Sequence, residues 1–340
     1  MIEISGDYLE GGGQILRTSL ALSVVLNKPF RICNIRAKRP HPGLRPQHYT
    51  AFKVMAELCN ARVKGLCMDS LEVEFIPRTF YPQNLDIDIG TAGSIGLLLQ
   101  TLLLPLAVRM DRKIKLRIKG GTHVPKAIPV DYYRNVIIPI LNKIGVKVEI
   151  TIINQGYYPR GGGEVVVEIS PWRDRRKLNL TFRGEVEKIR GVIHASRGLA
   201  SAGVGERMKR SIEELLDRYN PEIDVEYFHT LSPGCGVVLW AECEHAILGA
   251  DALGERGKPA EEVAWEVVEK LLNTISSQAG CDVHAGDNLI PWLAFCGGEV
   301  SVSEISLHTS TNIWVVEQFL GSIFDIRENL IAVNNPVNLI

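Results

Sequence analysis

The hydrophobic positions of this chain change period repeatedly, from alternation to helical spacing and back. Ile2–Ser5 alternates as a short strand. Gln14–Leu26 then places apolar side chains at helical spacing, Pro29 follows its end, and Phe30–Ile35 returns to a strand. Gln47–Leu58 reads as a helix, with Arg62–Val63 and Leu71–Phe75 as two short strands after it. The next stretch follows the same logic. Strand Leu85–Ile89, glycine-rich turn Gly90–Gly96, helix Leu97–Val108 and strand Lys113–Lys119 lead to helix Tyr132–Ile144 and strand Val146–Ile153. A turn at Arg160–Gly163 then precedes strand Glu164–Ile169. Strand, glycine turn, helix and strand thus recur at a long interval, which predicts an internal repeat of α/β units with little identity between copies. Mixed α/β layers, helices against sheet, are the expected architecture.

The pattern changes after Pro171. Ile189–Ala195, Val225–Thr230, Val237–Cys243 and Ala246–Asp251 read as strands, and Arg207–Arg218 and Ala260–Ser276 as amphipathic helices. This block is a candidate smaller α/β domain, although no proline- or serine-rich linker marks its edges. Gly286–Phe295, Ser310–Leu320 and Ser322–Val333 return to helix and strand signals. The 340 residues suffice for two domains. The apolar stretch Ala92–Val108 is interrupted by Gln100 and Pro105 and is short for a membrane span, so it reads as a buried helix. Seven cysteines without a CxxC pair, and an N-terminus without a signal pattern, suit a reduced cytoplasmic protein.

A formal net charge of −1 gives no global attraction to nucleic acid, so an anionic partner needs a local patch. One segment supplies it. Between Gly11 and Ala56 there is no Asp or Glu, while Arg17, Lys28, Arg31, Arg36, Lys38, Arg39, Arg45 and Lys53 all fall there. Within it, Arg36–His48 carries three prolines that stiffen the loop, and arginine forks match phosphate oxygens. Phosphate binding is favoured over a solvated basic loop. Just upstream, Glu10 precedes three glycines and the helix bearing Gln14 and Arg17. Such glycines let a backbone approach a ligand, and the helix N-terminus favours an anion. Glu10 is a candidate ligand for a divalent cation. A tight turn with a surface acid explains the same residues equally well.

Other motifs carry less. In Gly90–Gly96, Ser94 could take a phosphate, but small residues that let a helix approach a sheet are the simpler reading. Tyr157–Gly163 places Arg160 beside glycines, and a hairpin turn explains it nearly as well. Near the C-terminus, Thr309 or Ser310 is the expected N-cap of a helix whose face is Ile313, Val316 and Leu320. His308 then lies at the lip of that helix, where the positive end disfavours imidazolium, and a neutral ring nitrogen can carry a phosphoryl or nucleotidyl group. The residues alone do not distinguish it from His48, His123 or His284, nor from a histidine packed in a loop. The chain contains no GxxxxGK[ST], no HExxH and no Lys-x-Asp-Gly.

Taken together, Glu10–Arg17, Arg36–His48, Gly90–Gln100, Tyr158–Gly163 and His308–Leu320 resemble the RNA 3′-terminal phosphate cyclases, in order, at similar spacing and over nearly the full chain. The resemblance implies an α/β fold of the α+β type. A large domain of three repeated β/α units, related to the enolpyruvate transferase fold, would span residues 1–183 and 277–340. A smaller α/β domain, similar to the C-terminal domain of translation initiation factor three, would be inserted at residues 184–276.

It also implies a ligase-type reaction with ATP, Mg²⁺ or Mn²⁺, and an RNA bearing a 3′-phosphate. His308 would form a covalent histidine–AMP, and AMP would pass to the RNA phosphate. The ribose O2′ would then close a 2′,3′-cyclic phosphodiester. Glu10 is carried over as the metal ligand. Arg17, Arg36, Arg39, Gln47 and Gln100 are carried over to the phosphate path and Asp287 to an active-site carboxylate. Ile128 and His284 are carried over to the adenine sandwich, with Tyr132 and Asn288 as further nucleotide-binding positions. Bacterial members carry tyrosine at the position of His284 and glutamine at that of Asn288, so relaxed preference for ATP over GTP is expected. No membrane association is implied, and a homodimer stays open. Two other readings remain: a non-catalytic relative acting in ribosome assembly, which would lack the nucleophilic histidine, and a transferase on a small anionic metabolite.

Overall fold

The computed structural model describes residues 1–338. Strands Ile2–Ser5 (β1) and Phe30–Cys33 (β2) run parallel across helix Gly13–Leu26 (α1). Helix Pro46–Leu58 (α2) leads to Arg62–Lys64 (β3) and Val73–Ile76 (β4), and the sheet order is β1-β2-β4-β3. The next copy repeats that course. It comprises Leu85–Asp88 (β5), Ile95–Arg109 (α3), Ile114–Gly120 (β6), Val130–Tyr132 (α4), Ile138–Lys143 (α5), Val148–Asn154 (β7) and Gly163–Ile169 (β8), in the order β5-β6-β8-β7.

A third copy opens with Leu178–Leu180 (β9) and is then interrupted by a four-stranded unit. That unit runs Val186–Ser196 (β10), Val204–Leu215 (α6), Glu222–Phe228 (β11), Cys235–Cys243 (β12), Ile247–Leu253 (β13) and Ala260–Ser276 (α7), with sheet order β11-β10-β12-β13. The third copy resumes with Val283–Cys296 (α8), Gly298–Ser301 (β14), Leu307–Leu320 (α9), Asp325–Arg327 (β15) and Leu330–Val333 (β16). Its order, read from β9, is again β9-β14-β16-β15. Each of these three sheets therefore has one parallel pair joined by a helix, followed by two antiparallel strands.

Helices α1, α3, α8 and α9 pack on one another and share one hydrophobic core with the three sheets. Their position explains their composition. Helix α3 is apolar on nearly every side because Leu98, Leu99, Leu102, Leu103, Leu104 and Leu106 all meet protein. Strands β6 and β8 show strict alternation, because one face covers the core and the other faces outward. Helices α6 and α7 cover one face of the inserted sheet around a second core. Among the described residues, no helix is long and apolar enough to cross a membrane.

Several expectations need correction. The helix expected over Tyr132–Ile144 is broken by a π-turn at Tyr133–Ile137. Pro139 has no N–H for the Asn135 carbonyl, and the ladder widens just before it. The strand from Phe30 stops at Cys33, since Asn34 turns into the left-handed region at φ 53°. The short strands β9 and β14 carried no periodic signal.

The inserted unit meets the body through buried polar groups. The Tyr157 hydroxyl lies 2.8 Å from His194 Nδ1, and His194 Nε2 lies 3.1 Å from His123 Nδ1. His123 Nε2 in turn faces Asp251 Oδ2 at 3.4 Å. His194 and Asp251 come from the insert, His123 and Tyr157 from the body. Burial, then His123 and Arg134, hold His194 well below its ordinary pKa, and burial, then Arg17, Arg36 and Arg45, do the same for His48. Both rings are neutral in the fold, whereas the unfolded chain takes up protons near pH 6.5. Stability is therefore full above that pH and is lost as pH falls below it, by up to about 1.4 kcal/mol per pH unit for each histidine. Urea midpoints should therefore drop between pH 7 and 5.5, and His194→Gln should flatten the slope. A midpoint that does not move would overturn this account.

Candidate active site

The loop between β1 and α1 lies over three basic side chains. A Cβ at Gly12 would stand 3.0 Å from Arg39 Nη2. One at Gly13 would stand 2.4 Å from His48 Nε2 and 2.9 Å from Arg17 Nη1. Glycine is therefore required by close approach: basic groups occupy the space that a side chain would take. Gly12 is also the N-cap of α1, so the first amides of that helix belong to the same cradle.

Glu10 holds the centre. Its Oε2 accepts from Arg39 Nη2 at 3.0 Å and lies 3.0 Å from His308 Nδ1. His308 comes from α9, which begins at Leu307 and is capped by Ser306, whose Oγ accepts from the Thr309 amide at 2.9 Å. The cap is thus Ser306 rather than Thr309 or Ser310, and His308 lies inside the first turn instead of at its lip. Ser306 is selected because its hydroxyl also donates to Asp287 Oδ1 (2.6 Å), to which Thr309 Oγ1 donates as well (2.6 Å). Burial raises the Asp287 carboxyl, and the Ser306 and Thr309 hydroxyls and the nearby His308 and His284 oppose that rise.

Arg17 is nearly buried beneath the loop. Its Nε donates to Gln100 Oε1 (2.7 Å) and its Nη2 to Gln14 Oε1 (2.6 Å). Gln14 donates onward to Asn312 Oδ1 (2.6 Å), and Asn312 Nδ2 donates to the Asp287 carbonyl (2.6 Å). This chain ties α1, α8 and α9 together. Arg17 has no carboxylate partner among the described residues, and burial lowers its pKa to about 10, still charged at neutral pH. Arg36 donates to the His41 carbonyl (2.7 Å) and braces the basic loop. Burial lowers it too, with repulsion from Arg45 and Arg39. Positive charge in excess of local carboxylate is the electrostatic signature of an anion site.

The remaining candidates fall on two borders. Gln47 lies on α2, and its Oε1 would stand 3.4 Å from a Cβ at Gly93. Ser94 caps α3, accepting from the Leu97 amide, and a Cβ at Gly96 would stand 2.5 Å from the Ile128 carbonyl, so this turn is used for packing. Ile128 is half-buried on the loop before α4, and His284 is exposed in the first turn of α8. Tyr132 is completely buried behind His284, ring centroids 6.0 Å apart and edge to face, and its hydroxyl donates to Asp282. It supports the His284 ring instead of presenting a surface of its own. Asn288 is occupied at both ends, by the Tyr133 hydroxyl (2.7 Å) and the His284 carbonyl (2.8 Å). Ser306 escaped sequence reasoning, and Gln14 and Asn312, though inside the quoted motifs, were given no role, because nothing local marks their partners.

Among the described residues no three His, Cys, Asp or Glu side chains converge as a metal cage. Hard cations such as Mg²⁺ take one or two carboxylates and complete their shell with phosphate oxygens and water. Glu10 uses Oε2 for both of its contacts, and its Oε1 fits that role.

The family model for RNA 3′-terminal phosphate cyclase matches residues 8–326. Proteins of that name are close in sequence over nearly their whole length. That of Thermococcus kodakarensis is 47% identical over 329 residues, covering 96% of this chain and 94% of its own. That of Pyrococcus abyssi is 46% identical over 328 residues (96% and 95%). That of Caldivirga maquilingensis is 46% identical over 332 residues (95% and 93%).

Proposed function

We propose, because the chain belongs to the RNA 3′-terminal phosphate cyclase family, that it converts an RNA 3′-phosphate into a 2′,3′-cyclic phosphodiester with ATP as the activating reagent. The observation that carries this reading is the 3.0 Å contact of His308 with Glu10 beside guanidinium groups that lack enough carboxylates to neutralise them. With Nδ1–H directed at the Glu10 carboxylate, the ring is held in the tautomer whose Nε2 lone pair is free as the nucleophile.

Nε2 attacks the α-phosphorus of ATP, the bond to the β-phosphate oxygen breaks, and pyrophosphate leaves. An oxygen of the RNA 3′-phosphate then attacks the same phosphorus, the P–N bond breaks, and the imidazole is restored. Finally the ribose O2′ attacks the RNA phosphorus, its proton goes to solvent, the P–O–P linkage breaks, and AMP leaves. Each step expels a group more stable than oxide, which is why covalent activation helps. Arg17, Arg36 and Arg39 neutralise phosphate charge along the path, and Gln47 and Gln100 orient it. A divalent cation on Glu10 would shield the triphosphate oxygens. Ile128 and His284 flank the adenine, with Tyr132 and Asn288 fixing the His284 turn from below. Asp287 holds the first turn of α9, and so the His308 ring, in place. Residues 1–183 with 277–340 form the catalytic domain, with 184–276 as the inserted one.

The order of steps makes a specific product. An oligonucleotide with a 2′-deoxy nucleotide at its 3′-phosphate end lacks the attacking O2′. It should accumulate an adenylylated 3′ end, while the ribose counterpart yields cyclic phosphate and AMP, resolved by electrophoresis with a 5′ label. If neither product forms in the presence of ATP and Mg²⁺, the reading fails.

A further inference from the structure

The cradle accounts for phosphates and for adenine, but not for an aromatic pair beside it. Tyr8 stacks on Trp314 with ring centroids 4.1 Å apart and planes 16° from parallel. Tyr8 is 38% exposed although it is the large ring on a short turn, and Leu9 and Leu307, next to Glu10 and His308 in sequence, are 39% and 54% exposed. Neither the Tyr8 hydroxyl nor the Trp314 indole N–H has a hydrogen-bond partner among the described residues. The pair is held by ring contact, so a further aromatic face can add to it without breaking a polar bond.

The Gly11 amide donates to the Tyr8 carbonyl at 2.9 Å, which makes residues 8–11 one turn, and Glu10 in that turn touches His308. Two residues of chain span at most about 7 Å, so the Cα of Tyr8 lies within that distance of the Cα of Glu10, on the turn that touches His308. Trp314 is on α9 itself, six residues after His308. Basic side chains are fastened to the same turn: Lys38 Nζ donates to the Leu9 carbonyl (3.1 Å) and Arg39 to Glu10. Asp7, the other acid there, accepts a hydrogen bond from the Ser5 hydroxyl. Exposed aromatic face interleaved with cations is the combination that binds single-stranded nucleic acid, through stacking and phosphate attraction together.

We propose that the Tyr8–Trp314 pair is a stacking platform for the unpaired nucleobase at the 3′ end of the RNA, with the open face of Tyr8 against the base. This rests on the reading of the site as an RNA-end cyclase and adds to it how the end is held. Stacking is tolerant of base identity, so the platform accepts all four bases with a bias to purines, which present more ring area.

The test separates the two claims. Binding of a fluorescent 3′-phosphorylated oligoribonucleotide is measured by anisotropy, which needs no chemistry, alongside ATP-dependent adenylylation of His308. Tyr8→Ala should weaken RNA binding about 10-fold to 100-fold, at least tenfold more than it slows adenylylation, and Tyr8→Phe should restore it. With an oligonucleotide whose last nucleotide is abasic, the wild type and Tyr8→Ala should bind alike. Equal weakening on normal and abasic ends, or equal loss in both assays, would make the pair a mere staple between the turn and α9 and overturn the platform. A fall in molecular mass with unchanged RNA affinity would make it a self-association patch and would equally overturn the platform. If the wild type binds RNA with the Tyr8 dependence described and yet never adenylylates His308, the cyclase reading fails while the platform stands.

Discussion

His308→Asn is expected to abolish transfer of AMP to the protein, with a loss of at least about 10⁴-fold in the rate of pyrophosphate release. Asn is the informative replacement because its amide N–H can still donate to Glu10 Oε2, 3.0 Å from Nδ1 in the native site. The turn, the Glu10–Arg39 pair and the charge balance of the cradle are then kept. What disappears is the nitrogen lone pair at Nε2, since an amide has none to offer. The variant should bind ATP within a few-fold of the wild type and unfold at a similar temperature, because His308 is 43% exposed and its removal opens no cavity. With ATP labelled at the α-phosphate, wild-type protein should retain label after denaturation, released by acid and stable to alkali, and the variant none. Pyrophosphate release within tenfold of the wild type would remove the covalent scheme.

What the sequence could and could not show divides along sequence distance. Periodicity located α1, α2, α3 and α7 to within a residue or two, because each has a single continuous apolar face or is buried throughout. The clustering of cations without acids between Gly11 and Ala56 was legible because it is a property of one segment. The site itself was not, since it is made by pairs such as Gln14 and Asn312, 298 residues apart. No local signal tells which glycine faces an arginine. The same limit produced the wrong cap: Ser306, Thr309 and Ser310 are equivalent N-caps locally, and the choice is made by Asp287 on another helix. It also hid the buried junction, where His123 and His194 meet across 71 positions. Singling out His308 needed the family resemblance, and Glu10 at 3.0 Å gives that choice a physical basis.

Arg17 is where the second large effect is expected. Its guanidinium is nearly buried, faces no carboxylate among the described residues, and still carries charge, because burial lowers its pKa only to about 10. A buried unpaired cation is costly to the free protein. It persists because the Nε and Nη2 positions are fixed by Gln100 and Gln14, leaving Nη1 at the floor of the glycine turn where an anion would sit. Arg17→Lys keeps the charge and one hydrogen bond but loses the fork. Its single nitrogen cannot stand at the three positions that Nε, Nη1 and Nη2 occupy, so the partners of the fork are no longer held together. Adenylylation should fall about 10²–10³-fold, the magnitude of removing one preorganised donor from developing charge. The melting temperature without nucleotide should stay near that of the wild type, while the rise on adding ATP should shrink in step with lost affinity. The two readouts matter together. A side chain that merely holds α1 against α3 would lower the melting temperature of the free protein and leave the increment from ATP intact. A lysine variant that adenylylates within threefold of the wild type would show that charge alone suffices, and the geometric role of Gln14 and Gln100 would have to be given up.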